Sequence, residues 1–166
     1  MRIWNTGGFA DIDVFEPLED GGAVSATAIV PLERFASLGG SEKAAVRAVQ
    51  LQPGDDVSAL APWLDQLVLV CVTFPAFNDG RAFSQATLLR ERFGFGGEIR
   101  ALGDILIDQV AHMLRCGIDS VAVTNPVAVA RLEVGRLGGV SQHYQPAARG
   151  TASPGGYSWR RVSNPA

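Results

Sequence analysis

Leu67–Phe74 reads LVLVCVTF, and the fold turns on this stretch. It is apolar without alternation and rich in β-branched residues, the pattern of a strand buried on both faces rather than one. Such a strand belongs to a mainly parallel sheet covered by helices. The flanking segments repeat the theme. Upstream, Ala23–Val30 (AVSATAIV) is strand-like, and Pro31 suits the first position of a helix over PLERFASL that Gly39-Gly40 stops. Ala44–Leu51 (AAVRAVQL) is a second strand ending at Pro53-Gly54, after which Asp55 and Asp56 cap a helix running to Leu64.

Downstream, a helix is expected from Gly80 to Phe93, where Ala82, Phe83, Ala86, Leu89, Arg90 and Phe93 share a face and Gly94 is the stop. Glu98–Leu102 is a short strand, and Asp104 caps a helix over Ile105–Cys116 that ends at Gly117. Asp119–Val123 and Pro126–Gly135 complete the alternation. About five strand–helix units with short connections imply an α/β fold with right-handed crossovers. An open doubly wound sheet is the expected arrangement, with a half-barrel as the alternative that spacing leaves open. Residues 1–22 read as an N-terminal arm or hairpin with strand character at Asp11–Phe15, 23–145 as one α/β domain, and 146–166 as a flexible Pro/Gly-rich tail.

At 166 residues and 47% hydrophobic, the chain can bury a core of its own. A net charge of −3 argues against nucleic acid as a partner, since that needs clustered excess Lys and Arg. The longest apolar run, Leu67–Phe77, is too short to span a membrane, and MRIWNTGGFADIDVFEPLED lacks the apolar core of a signal peptide, so a cytoplasmic location is expected. Cys71 and Cys116 form no CxxC and read as reduced, structural thiols. His112 and His143 stand outside any HExxH or Cys/His cluster, which argues against a protein-built metal site. Asp108 and His112, four apart on one helix, read as a structural surface pair. Gly94–Gly97 follows a helix and precedes a strand, the reverse of the dinucleotide-binding order, so no motif names a cofactor.

Ligands of α/β sheets sit at the carboxyl ends of the strands. The chain concentrates its polar residues there, in QPGDD at 52–56, PAFNDGR at 75–81, GD at 103–104 and TNP at 124–126. Phe74–Gln85 (FPAFNDGRAFSQ) is the densest of these stretches. Asn78 or Asp79 can cap the helix, Gly80 allows close backbone approach, Arg81 sets a guanidinium beside the helix start, and Ser84 and Gln85 follow within a turn. With Arg100 and Asp104 they form the candidate ligand-binding set, suited to a small oxyanion. Arg90 falls toward the apolar stripe, in reach of an acid such as Asp104.

FPAFNDGR at 74–81, SQATLLRERFG at 84–94, GEIRALGD at 97–104 and DQ at 108–109 resemble the signature block of the DUF934 family of bacterial proteins. The resemblance extends more weakly to AIVPL at 28–32, LQPGDD at 51–56 and YQPA at 144–147. Ala76, Asn78 and Phe83 depart from the residues common in relatives, Lys, Thr and Tyr respectively. Members are described as oxidoreductases that accompany the assimilatory sulfite reductase. The resemblance therefore implies a role in sulfite reduction, with that reductase or its electron donor as partner, and it brings no catalytic residues with it. The chain lacks the cysteines for an iron–sulfur cluster, so the implied role is an oxidoreductase with another cofactor or an accessory protein. The alternative is a non-catalytic module whose Arg-rich helix docks on a partner while the loop residues only fix the loop.

Overall fold

In the computed structural model, which describes residues 1–19, 21–135 and 137, the decisive stretch forms β6 (Leu69–Phe74). Five of its residues are fully buried and only Thr73 is partly exposed, as expected for a strand covered on both sides. The tail at 146–166, with His143 and Tyr144, lies outside the described residues. On either side of β6 run β5 (Ala48–Leu51) and β7 (Glu98–Gly103), both parallel to it, then β4 (Ala28–Pro31) and β8 (Ser120–Val123). A hairpin of β1 (Arg2–Asn5) and β2 (Gly8–Phe9) adds antiparallel to β8, and β3 (Glu16–Pro17) adds parallel to β4. The strand order is β2-β1-β8-β7-β6-β5-β4-β3.

From β3 to β8 each strand lies beside its predecessor. A doubly wound sheet needs a reversal of order so that helices fall on both faces. None occurs here, so right-handed crossovers place the helices on one face, and the sheet is the half-barrel of the two arrangements. The curl follows from chain length. Eight strands leave seven spacings between β2 and β3, about 34 Å if flat at ~4.8 Å each. Ala10, bonded through its N–H to Ile3, and Glu16, bonded to Thr27, are joined by a stretch that reaches at most ~21 Å. The edges must therefore approach each other. One cavity of about 510 Å³ is lined by Met1, Arg2 and Ile3 from one edge and by Glu16 and Pro17 from the other. Residues 11–15 are thus a crossing strap rather than the strand their alternation suggested, with Asp13 and Phe15 turned in and Ile12 and Val14 exposed.

The convex face holds the main core. Val30, Val49, Val70, Val72, Ile99, Ala101 and Val121 meet Phe35, Leu60, Ala82, Ala86, Leu89, Val110, Met113 and Leu132 from the connecting segments. These are α1 (Leu32–Ser37), α2 (Gly40–Ala45), a 3-10 turn (Val57–Trp63), α3 (Arg81–Thr87) with its continuation Leu88–Arg92, α4 (Ile107–Arg115) and α5 (Pro126–Glu133). Two local expectations change. The start of the strand expected from Ala44 belongs to α2, because Glu42 accepts the Gly39 N–H (3.0 Å) and holds a helical turn. The helix expected to end at Leu64 is a 3-10 turn, since Pro62 lacks an N–H to donate within it. Asp56 does cap it, accepting the Ser58 amide at 2.9 Å and hydroxyl at 2.6 Å.

After α3 the helix widens into a π turn at Leu88–Arg92, from which Arg90 reaches under the sheet. Its partner acid is Asp119, not Asp104. The guanidinium also donates to the carbonyls of Gly117 (2.9 Å), Gly97 (2.8 Å) and Phe95. Gly117, at φ +91°, makes room, for a Cβ there would stand 2.4 Å from Arg90 Cγ. Arg90→Met is expected to lower unfolding free energy by about 3 kcal/mol or more in urea titration, because three carbonyls and the Asp119 carboxylate lose this donor together. A loss below about 1 kcal/mol would show the latch to be dispensable.

Candidate functional site: the carboxyl rim of the sheet

The loop after β6, Pro75–Gly80, sits between the loop after β5 and the turn after β7. The bend of β7 builds it. Gly103 takes φ +105° and passes so close to β6 that a Cβ would lie 2.1 Å from the Phe74 carbonyl oxygen. Asp104 then donates its N–H to that carbonyl (2.8 Å) and turns its carboxylate back to accept the Phe77 N–H (3.3 Å). From the first turn of α4, Gln109 Nε2 donates to the Phe77 carbonyl (2.6 Å). The Phe77 backbone is clamped on both sides while its ring stands half exposed, with Leu106 exposed near the same turn.

Asp79 takes the capping role from two residues before α3. Its Oδ1 accepts the Arg81 amide at 3.2 Å, while Gly80 itself provides no side-chain cap. The Arg81 guanidinium folds back on the same carboxylate, with Nε to Oδ1 at 3.0 Å and a terminal nitrogen to Oδ2 at 2.6 Å. Hydrogen bonds from the Arg81 side chain, then its amide, hold Asp79 below the usual carboxylate range and keep Arg81 charged. Arg81 remains 63% exposed. Asn78 is exposed on the loop, and Ser84 faces solvent from α3.

The other candidates go elsewhere. Gln85 is buried and donates to the carbonyls of Gln52 (2.7 Å) and Asp55 (3.2 Å), tying α3 to the loop after β5. Its Oε1 is buried without a donor from the described residues. Arg100 lies mid-strand on the concave face, away from the rim. It pairs with Asp13 of the strap (2.7 Å) and Glu98 of its own strand (3.0 Å), and Glu98 also accepts the Ser120 hydroxyl at 2.5 Å. Burial opposes the Arg100 charge, and the bonds to Glu98 and Asp13 more than offset it. The structure thus brings Asn78, Asp79, Gly80, Arg81 and Asp104 to one rim and leaves Ser84, Gln85 and Arg100 outside the cluster.

Phe77, Gln109 and Asp13 were outside the candidate set. Gln109 carried a signal in the DQ pair, and Glu98 with Arg100 showed one too, since a polar period of two inside an expected buried strand marks a distinct face. A profile of the DUF934 family, described as bacterial protein of unknown function, matches residues 48–154. The chain belongs to the DUF934 family. No curated protein matches it. The DUF934 region spans the rim, Arg90 and Arg100, whereas β1 to β4 and the strap precede it.

Cys71 lies on the concave face beside Arg100, and Cys116 follows α4 near His112 at 3.8 Å. His112 also meets Arg115 at 3.0 Å and stacks tilted on Phe83. Burial pushes both thiols up, Cys71 to about 12. Among the described residues no group of three or more His, Cys, Asp or Glu could hold a metal ion, and no helix is long and apolar enough to cross a membrane.

Two outcomes are expected. Gly103→Ala should cost more than about 2 kcal/mol in thermal unfolding, since both its φ and its space are closed to a Cβ. Unfolded Cys71 ionises from about pH 8.5 while the native thiol stays protonated to about 12. Its contribution to stability is full below pH ~8.5 and falls as pH rises toward 12. Cys71→Ala should flatten the wild-type decline in that window, and parallel stability curves for the two proteins would contradict the assignment.

Proposed function

We propose that this DUF934 protein serves assimilatory sulfite reduction as an accessory protein, docking on the sulfite reductase or its electron donor through the rim at Pro75–Arg81. The observation that carries this reading is the clamped Phe77. A half-exposed aromatic ring costs solvation, and here its backbone N–H and carbonyl are both held, by Asp104 and Gln109. Aromatic residues and arginines are enriched at protein interfaces, and Phe77 and Arg81 are both exposed on this stretch. The charged groups around it are engaged within the rim, Asp79 with Arg81 and Asp104 with the Phe77 amide, which favours a fixed contact surface over a reacting centre. The pathway itself rests on the family resemblance of FPAFNDGR, SQATLLRERFG and GEIRALGD. Arg92, exposed on the turn after α3, adds a cation to the same helix.

A second reading keeps the rim as the small-oxyanion site of an oxidoreductase. It is favoured by the 63% exposure of Arg81 beside the first amides of α3. Sulfite or sulfate would then shift the Asp79–Arg81 amide resonances on titration.

Binding of the purified chain to assembled sulfite reductase and to its electron donor, followed by calorimetry, separates the two. Phe77→Ala is expected to leave stability within about 0.5 kcal/mol and to weaken binding about 30-fold or more, the loss of a central anchor. Arg92→Glu should weaken it further. Absence of binding by the wild-type chain, together with anion-dependent shifts at Arg81, would move the conclusion to the second reading.

A further inference from the structure

The concave face carries a second constellation, independent of the rim. Along one register row lie Gln50, Cys71, Arg100 and Ser120, and Gln50 bonds the Thr73 hydroxyl at 3.0 Å. Arg100 already has a carboxylate in its own strand, for Glu98 accepts its Nε and the Ser120 hydroxyl. The second carboxylate, Asp13, arrives from far away in sequence, so two partly exposed acids share one buried guanidinium. Glu98 alone already gives the buried Arg100 a counter-charge, so the cation does not depend on the strap for one. The strap that delivers it is thinly held. Ile12 is 79% and Val14 60% exposed, so only Asp13 and Phe15 face the sheet between the bonds at Ala10 and Glu16. Asp13 and Phe15 also line the cavity of about 510 Å³ between the two sheet edges.

We propose that the concave face is a binding site for a small organic carboxylate or inorganic oxyanion, with Arg100 as its cation and the Asp13 carboxylate as a built-in occupant that the ligand displaces. Gln50, Thr73 and Ser120 supply neutral hydrogen-bonding groups around the cation, and Ile29, Leu69 and Leu102 supply an apolar wall. Phe15 packs against the small concave cluster to which the fully buried Cys71 belongs, so the Cys71 thiol serves as a reporter of strap opening.

Hydrogen exchange on the wild-type chain tests the strap directly. The Asp11–Phe15 amides are expected to exchange at least about tenfold faster than those of β6, and faster still as acetate or sulfate is added at constant ionic strength. Exchange of the strap only together with β6, or equal acceleration by chloride, overturns the proposal. In a Cys116→Ser background, Asp13→Asn should raise the rate of Cys71 alkylation by iodoacetamide at least about tenfold. Acetate or sulfate should slow that reaction again, and neither should do so once Arg100→Gln is added. Protection by acetate alone identifies a planar carboxylate, and by sulfate alone a tetrahedral oxyanion. An alkylation rate unchanged by Asp13→Asn overturns the proposal, and if that variant does not fold, the wild-type exchange experiment decides alone.

Discussion

β7 is fixed at its lower end by the buried Arg90 guanidinium, and the rest of the molecule is placed from there. The cation gathers the carbonyls of Phe95, Gly97 and Gly117 with the Asp119 carboxylate, which itself accepts the Ile99 amide at 2.9 Å. Three chain segments, the end of the α3 helix, the glycine loop and the start of β8, thereby share one set of hydrogen bonds. A side chain in a regular helical turn would point elsewhere, and the π turn at Leu88–Arg92 aims this one. Because the register of β7 against β6 is set below, its upper end falls in register too, Gly103 opposite Phe74, and Asp104 comes to stand under Phe77. The candidate rim is a consequence of the latch at the opposite end of the strand.

Consecutive strand order has a cost that the N-terminal segment meets. With all helices on the convex face, the concave face of Ile29, Ala48, Leu69 and Cys71 would stand in water. Its buried cluster is small, and an open sheet edge on each side would remain available for pairing. β1 and β2 extend one edge, β3 extends the other, and the strap between them crosses the concavity. Trp4 of β1 joins the convex core while Phe15 of the strap joins the concave one, so one short segment serves both faces.

Much of this was legible in the sequence because its signals are local. The unbroken apolar run of β6, the Asp–Gly–Arg start of α3 and the Gly-terminated α4 all announce themselves within a few residues. What stayed hidden is non-local. Nothing within RIWN says that it pairs with β8, and nothing in spacing tells consecutive from reversed strand order. Arg90 was visible as a cation on an apolar stripe, yet Asp104 and Asp119 were equivalent acids until the chain was folded. Arg100 was grouped with the rim because it precedes Asp104 closely in sequence, but a strand alternates its faces and mid-strand is not its end. Proline decided the smallest surprise, turning an expected α-helix into the 3-10 turn at Val57–Trp63.

The two polar sites differ in how their charges are satisfied, and that difference bears on what each can do. At the rim the partners are neighbours in the chain or in adjacent strand ends: Asp79 with Arg81, and Asp104 with Phe77. These bonds tie the Phe77 backbone to the turn after β7 and the Arg81 guanidinium to its own loop, which suits recognition by a preformed surface. On the concave face Arg100 is completed by Asp13, a partner on a separate strap. A charge completed by a distant and lightly held segment has two well-defined states, paired and released, and a competing anion discriminates between them. Rigidity at the rim and exchangeability beneath the strap follow from the same half-barrel, one from its strand ends and the other from its uncovered face.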